Sequence, residues 1–178
     1  MAVAPDDFKL LLERGARRER GRARAGIAAG IVLPRSIRPI MAAMALTLDL
    51  PAGLTGTAEL VVGEHHTAPR IGSGRIHVLA TPVMINLIQA AALAAVEQSL
   101  PEFHQSLGTH LDITHVAATP VGMRVRATAE VTRVEGRTIY FRVRAEDERE
   151  LIGEGTHERV VVNVERFDKR VQEKMRRA

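Results

Sequence analysis

Cysteine is absent from the 178 residues. That excludes disulfides, a thiol nucleophile and cysteine-ligated zinc. It fits a reducing compartment, and a cytoplasmic location is expected. Aromatic residues are scarce, at 3%, so a core has to be built from Val, Ile, Leu, Ala and Met. Charge is also missing from one stretch. No Asp, Glu, Lys or Arg occurs between Arg75 and Glu97. Its helical part, Pro82 to Val96, contains Asn86 and Gln89 and falls short of the about 20 apolar residues that span a bilayer. The expectation is a buried helix and no membrane partner.

What is present suits one globular domain. Hydrophobic residues reach 46%, and 178 residues are enough for a single core. The formal charge of +4 is unevenly placed. Residues 1–55 hold 9 Lys/Arg against 5 Asp/Glu, and residues 56–178 hold 16 of each. The pI near 10.3 therefore reflects the N-terminal third, not the presumed domain. Arg14, Arg17, Arg18, Arg20, Arg22 and Arg24 lie in that third, relieved only by Glu19. No apolar period there is long enough to bury a face. Residues 1–55 are expected to be a basic, weakly ordered or disordered extension, or in part an over-long start with Met41 or Met44 as the true one. A basic arm docking on nucleic acid is the disfavoured alternative.

From Gly56 the pattern changes. Thr57 to Val62 suits a strand, and Pro69, Gly72 and Gly74 mark the loop His65 to Gly74. Thr81-Pro82 opens a helix: the hydroxyl can cap an orphan N–H, and proline suits the first helical position. The helix is apolar nearly all round (Val83, Met84, Ile85, Leu87, Ile88, Leu93, Val96) and runs to about Leu100, before Pro101. Strands are expected at 110–118, 123–134, 138–145 and 151–164, then a charged helix at 166–176. Strand, long buried helix and antiparallel meander predict an α+β hot-dog fold, one antiparallel sheet wrapped around a central helix. Its free edges predict a homodimer.

Three polar residues stand out. Thr81 and Gln89 are about 2.2 helical turns apart, so they project from roughly one side, with Asn86 on a neighbouring azimuth. His115 shares the inward strand face with Leu111, Ile113 and Ala117, while Asp112 points away. Each has a bland reading as well. Gln89 can bond a backbone or cross a dimer interface, and a lone inward histidine is often a satisfied core residue.

A resemblance adds to this. Ser106-Leu107-Gly108-Thr109, Thr114-His115-Val116-Ala117-Ala118-Thr119-Pro120, Val134-Glu135-Gly136-Arg137 and Gly155-Thr156-His157-Glu158-Arg159 occur in order. Together with Ala80-Thr81, Met84 and Leu87, they resemble the fluoroacetyl-CoA thioesterase family over about Gly56 to Lys174. The resemblance implies hydrolysis of an acyl-CoA thioester to free acid and CoA, with no cofactor beyond the CoA of the substrate and no metal. It implies that Thr81 and His115 are the catalytic threonine and histidine. It also implies that Gly108 lies near the acyl group and that Arg159 contacts substrate; Asn86 joins the substrate-binding set. The chain departs from the family at the catalytic carboxylate, which here is Gln89. An amide neither takes a proton at neutral pH nor attacks a thioester. Gln89 is therefore expected to orient a water, and a non-hydrolytic acyl-CoA-binding module is the alternative. The lid region, Glu64 to Leu79, is short and carries no Phe, so selectivity for fluoroacetyl is not expected.

Overall fold

The computed structural model describes residues 48–177. The expectations for the arginine-rich segment fall within residues 1–47, outside the described residues. Five strands form one sheet in the order β1-β3-β4-β5-β2, antiparallel at every pairing. They are β1 (Thr55–Val61), β2 (His104–His115), β3 (Arg124–Glu135), β4 (Thr138–Asp147) and β5 (Leu151–Asn163). Between β1 and β2 come a 3-10 turn (Glu64–His66), a one-turn helix α1 (Ala68–Ile71) and the long helix α2 (Thr81–Val96). Helix α3 (Val164–Arg176) closes the chain. This is the hot-dog arrangement of sheet and central helix.

Alternation explains the sheet. In β4, Ile139, Phe141, Val143 and Ala145 are buried, while Arg142 and Arg144 face out. Val125, Ala127, Ala129 and Val131 of β3 join the same inner face. Helix α2 lies on that face, with Met84, Leu87, Ile88, Ala91 and Ala92 each no more than 1% exposed. Burying each of the larger ones stabilises the domain by roughly 1.5–3 kcal/mol. The packed region also starts earlier than Gly56. Leu50 is buried, and Leu54 O accepts a 2.8 Å hydrogen bond from Val131 N.

Three local expectations need correction. First, Ala80 is the helix N-cap, and no side chain caps it. Thr81 is the first helical residue, and its hydroxyl is engaged elsewhere. Second, α2 ends at Val96 and continues only as a 3-10 turn, Glu97–Ser99. Third, β2 begins at His104 instead of His110 and stops at His115. Its pairing with β5 shifts register between Gly108 and His110, so Thr109 sits in a bulge. Beyond the bulge Leu111, Ile113 and His115 do share the inner side, each half-buried.

Candidate active site

Helix α2 and strand β2 run alongside each other in opposite senses, and polar side chains meet between them at three levels. The first is at the mouth of the helix. Thr81 Oγ1 lies 2.8 Å from His115 Nδ1, joining the first helical residue to the last residue of β2. The surrounding backbone is tied down. Ala80 N donates to His66 O at 2.9 Å, and Leu79 N donates to Thr119 O at 2.9 Å. The buried Thr119 hydroxyl in turn donates to Asp147 Oδ2 at 3.0 Å. Thus the short lid segment and the turn after His115 are both pinned beside the Thr81 hydroxyl.

His115 is half-buried, and its Nε2 is a buried atom without a hydrogen-bond partner among the described residues. Burial lowers its pKa below the ordinary 6.5; the nearby Ala117 backbone opposes this with a smaller effect. The imidazole is therefore neutral at pH 7. One nitrogen is paired with a hydroxyl, and the other is buried.

The helix mouth has fewer free donors than the sequence suggested. Val83 N and Met84 N both donate to Ala80 O, at 2.9 and 3.1 Å. Pro82 has no N–H. Of the first residues of α2, only Thr81 keeps its backbone N–H unspent inside the helix.

The second level is Gln89 against Gly108. A methyl group placed on Gly108 would come 2.7 Å from Gln89 Oε1, 3.1 Å from His157 Cε1 and 3.7 Å from Arg159 Nη1. Any side chain there would have to push aside the end of Gln89 and the buried His157 ring. Eight helical residues separate Gln89 from Thr81, about 12 Å along the axis. Within one chain, therefore, the structure brings Thr81 to His115 and brings Gln89 to Gly108, as two separate pairs. Asn86 is exposed, and its side chain makes no hydrogen bond among the described residues.

Of the third level the sequence reading named Arg159 alone; Ser106, His157 and Glu97 were not singled out. Arg159 is 4% exposed and sits behind Gly108. Its Nε donates to Ser106 Oγ at 2.8 Å, its Nη2 to Ser106 O at 2.7 Å, and its Nη1 reaches His157 Nε2 at 3.3 Å. His157 Nδ1 is 2.8 Å from His110 O. A carbonyl can only accept, so Nδ1 carries the proton and Nε2 accepts from Arg159. Burial lowers the His157 pKa, and the adjacent Arg159 charge adds to that, so this ring is neutral too. Glu97 Oε1 accepts from both Ser106 N, at 3.0 Å, and Ser106 Oγ, at 2.5 Å. The period-2 pattern Gly153, Gly155, His157, Arg159, Val161 was the available signal, since it puts both polar residues on the inward face with Val161.

Comparison with known proteins agrees with this architecture. A family model described as fluoroacetyl-CoA-specific thioesterase matches residues 62–165. The fluoroacetyl-CoA thioesterase of Streptantibioticus cattleyicolor is 44% identical over 97 residues, which are 54% of this chain and 70% of that protein. A solved structure of the fluoroacetyl-CoA thioesterase FlK superposes with a TM-score of 0.67 at 37% identity, covering 70% of this chain and 97% of that one. A Thermus thermophilus hypothetical protein of the thioesterase superfamily gives a TM-score of 0.67 at 29% identity, covering 74% and 100%. With the family model matching well over half its length, the chain belongs to the fluoroacetyl-CoA-specific thioesterase family.

Proposed function

We propose that the chain hydrolyses an acyl-CoA thioester to the free acid and CoA, and that Thr81 and His115 carry the reaction. The observation behind this reading is the 2.8 Å contact between Thr81 Oγ1 and His115 Nδ1, with His115 Nε2 buried and unpartnered. A hydroxyl and a neutral base in hydrogen-bond reach are the parts that acyl transfer needs. Thr81 fixes one ring nitrogen. The other takes a proton from water as it attacks the carbonyl, and afterwards protonates the leaving thiolate. The Thr81 N–H and the positive end of α2 stabilise the oxyanion. The reading needs no metal and no cofactor beyond the CoA of the substrate, and it places the protein in the cytoplasm, where CoA thioesters are made and used.

The acyl group is not expected to be selectively fluoroacetyl, because residues 64–79 contain no Phe. Gly108 borders the acyl end. Arg159 lies behind Gly108 as the buried back wall, so its contact with substrate runs through any N–H left over from Ser106 and His157. Asn86, exposed on α2, would meet the outer part of the ligand.

Homodimerisation belongs to the same proposal. Strand β2 is 12 residues long and pairs only with β5 among the described residues. Two copies of β2 paired antiparallel about a two-fold at Asp112, with the Thr109 bulge taking up one residue, set Gly108 of one copy opposite His115 of the other. The Gln89–Gly108 pair of one chain then faces the Thr81–His115 pair of its partner. Gln89 orients the attacking water across that seam.

The second reading, an acyl-CoA-binding module, is favoured by one observation, the amide at position 89. A thiol-release assay over a panel of acyl-CoAs decides between them. Hydrolysis by the natural chain, lowered about 10²–10⁴-fold by His115→Ala, is the expected result. Binding without thiol release, with activity appearing only in Gln89→Glu, would give the protein to the second reading.

A further inference from the structure

A guanidinium 4% exposed needs a compensating negative charge, because removing a cation from water is costly unless it is paired. The partners that Arg159 touches are all neutral: the Ser106 hydroxyl, the Ser106 carbonyl and the His157 ring. Gln89, the polar helix residue opposite Gly108, is neutral as well. The carboxylate on this path is Glu97, one step further. It binds both the backbone N–H and the hydroxyl of Ser106, and the same hydroxyl oxygen accepts from Arg159 Nε. The geometry sets the direction of every bond: Arg159 donates to Ser106, and Ser106 donates to Glu97.

We propose that Glu97 is a positioning residue of the site. Acting through Ser106, its carboxylate supplies the charge that keeps Arg159 buried behind Gly108, in a chain whose position 89 offers only an amide. Glu97 and Gln89 are eight residues apart, so the negative charge has moved about two turns down the same side of the cleft. Its new place is at the start of the 3-10 turn that follows α2. Two consequences follow for the chemistry. The guanidinium stays fixed at the back of the acyl end, and residue 89 is free to hold water instead of balancing Arg159. Burial lowers the Arg159 pKa and the Glu97 charge works against that, in keeping with the same division of labour.

The kinetic part of this inference rests on the hydrolysis proposed above; the structural part does not. The test is Glu97→Gln in the full chain, which keeps an acceptor of the same shape and removes the charge. One readout is solvent exchange of the Arg159 Nε–H, followed by NMR. Exchange should quicken by roughly tenfold or more in Glu97→Gln and stay slow in Glu97→Asp. The other readout is thioester hydrolysis. kcat/KM should fall roughly tenfold in Glu97→Gln, and adding Gln89→Glu should raise that variant by a larger factor than it raises the natural chain. A merely structural role for Glu97 would lower the melting temperature and would not be rescued by a carboxylate two turns away. Unchanged exchange in Glu97→Gln, or a Gln89→Glu effect no larger in Glu97→Gln than in the natural chain, would overturn the proposal. A natural chain that releases no thiol would remove the hydrolysis reading, and the exchange measurement would still decide the role of Glu97.

Discussion

His115 is useful because it is neutral. Its pKa is held below 6.5, first by burial. A base must be unprotonated, so kcat/KM should be level around neutrality and fall as the pH drops through the lowered value, below 6.5. A pH-rate profile whose acid limb lies above 6.5 would contradict this. His157 gives a matching signature in stability. Its folded pKa is also below the unfolded one, so the unfolded chain takes up the proton first. Its contribution is complete above the unfolded value and is lost as the pH falls through the folded one. Denaturant melts between about pH 7.5 and 5 should show acid destabilisation that is reduced in His157→Gln. Gly108 makes a third prediction at this scale. Gly108→Ala pushes a methyl against the movable end of Gln89, but also against the buried His157 ring. It should fold with a loss of about 1–3 kcal/mol, while thioester hydrolysis falls much further than stability. Equal loss of both would mean that Gly108 matters only for packing.

At the scale of elements, the sequence was clearest where one face is apolar and least clear where a buried face is polar. Helix α2 could be read because its apolar residues run unbroken between Pro82 and Val96. Strand β4 could be read because Ile139, Phe141 and Val143 alternate with charge. The first half of β2 was missed for a physical reason. His104 to Thr109 shows no apolar alternation, since its inward residues, Ser106 and Gly108, meet Arg159 and Gln89 rather than a greasy core. The bulge at Thr109 then breaks whatever period remains. The Thr81–His115 pairing was within reach because family motifs mark both residues. The Glu97–Ser106–Arg159–His157 chain was not, because its members lie up to about 60 residues apart and meet only once β2 and β5 are paired. The start of β2 also holds strain. Phe103 has φ of 60°, in the left-handed region, with its side chain 77% exposed, and its carbonyl accepts from Val164 N. Replacing it with glycine relieves roughly 1 kcal/mol of backbone cost and gives up little buried area. Phe103→Gly should therefore raise the denaturation midpoint; a lowered midpoint would mean that the exposed ring is covered in the assembled protein.

For the whole molecule, the proposed site is divided until β2 finds a second copy. Sedimentation at micromolar concentration should give twice the 19.5 kDa chain mass, and hydrolysis should fall on dilution in step with dissociation. A species of single-chain mass with full specific activity would show that one copy is sufficient. None of the helices in the described residues is long and apolar enough to cross a membrane. The two margins of the sheet differ. Among the described residues β2 presents a long free edge, whereas β1 at the other margin has 7 residues and carries Glu59, held between Arg124 and Arg126 at 3.5 and 3.6 Å. Short, charged margins resist strand addition. The proposed self-association through β2 alone would use up the adhesive edge of both partners at once. A proposed pair of this kind would close on itself instead of continuing into a fibre.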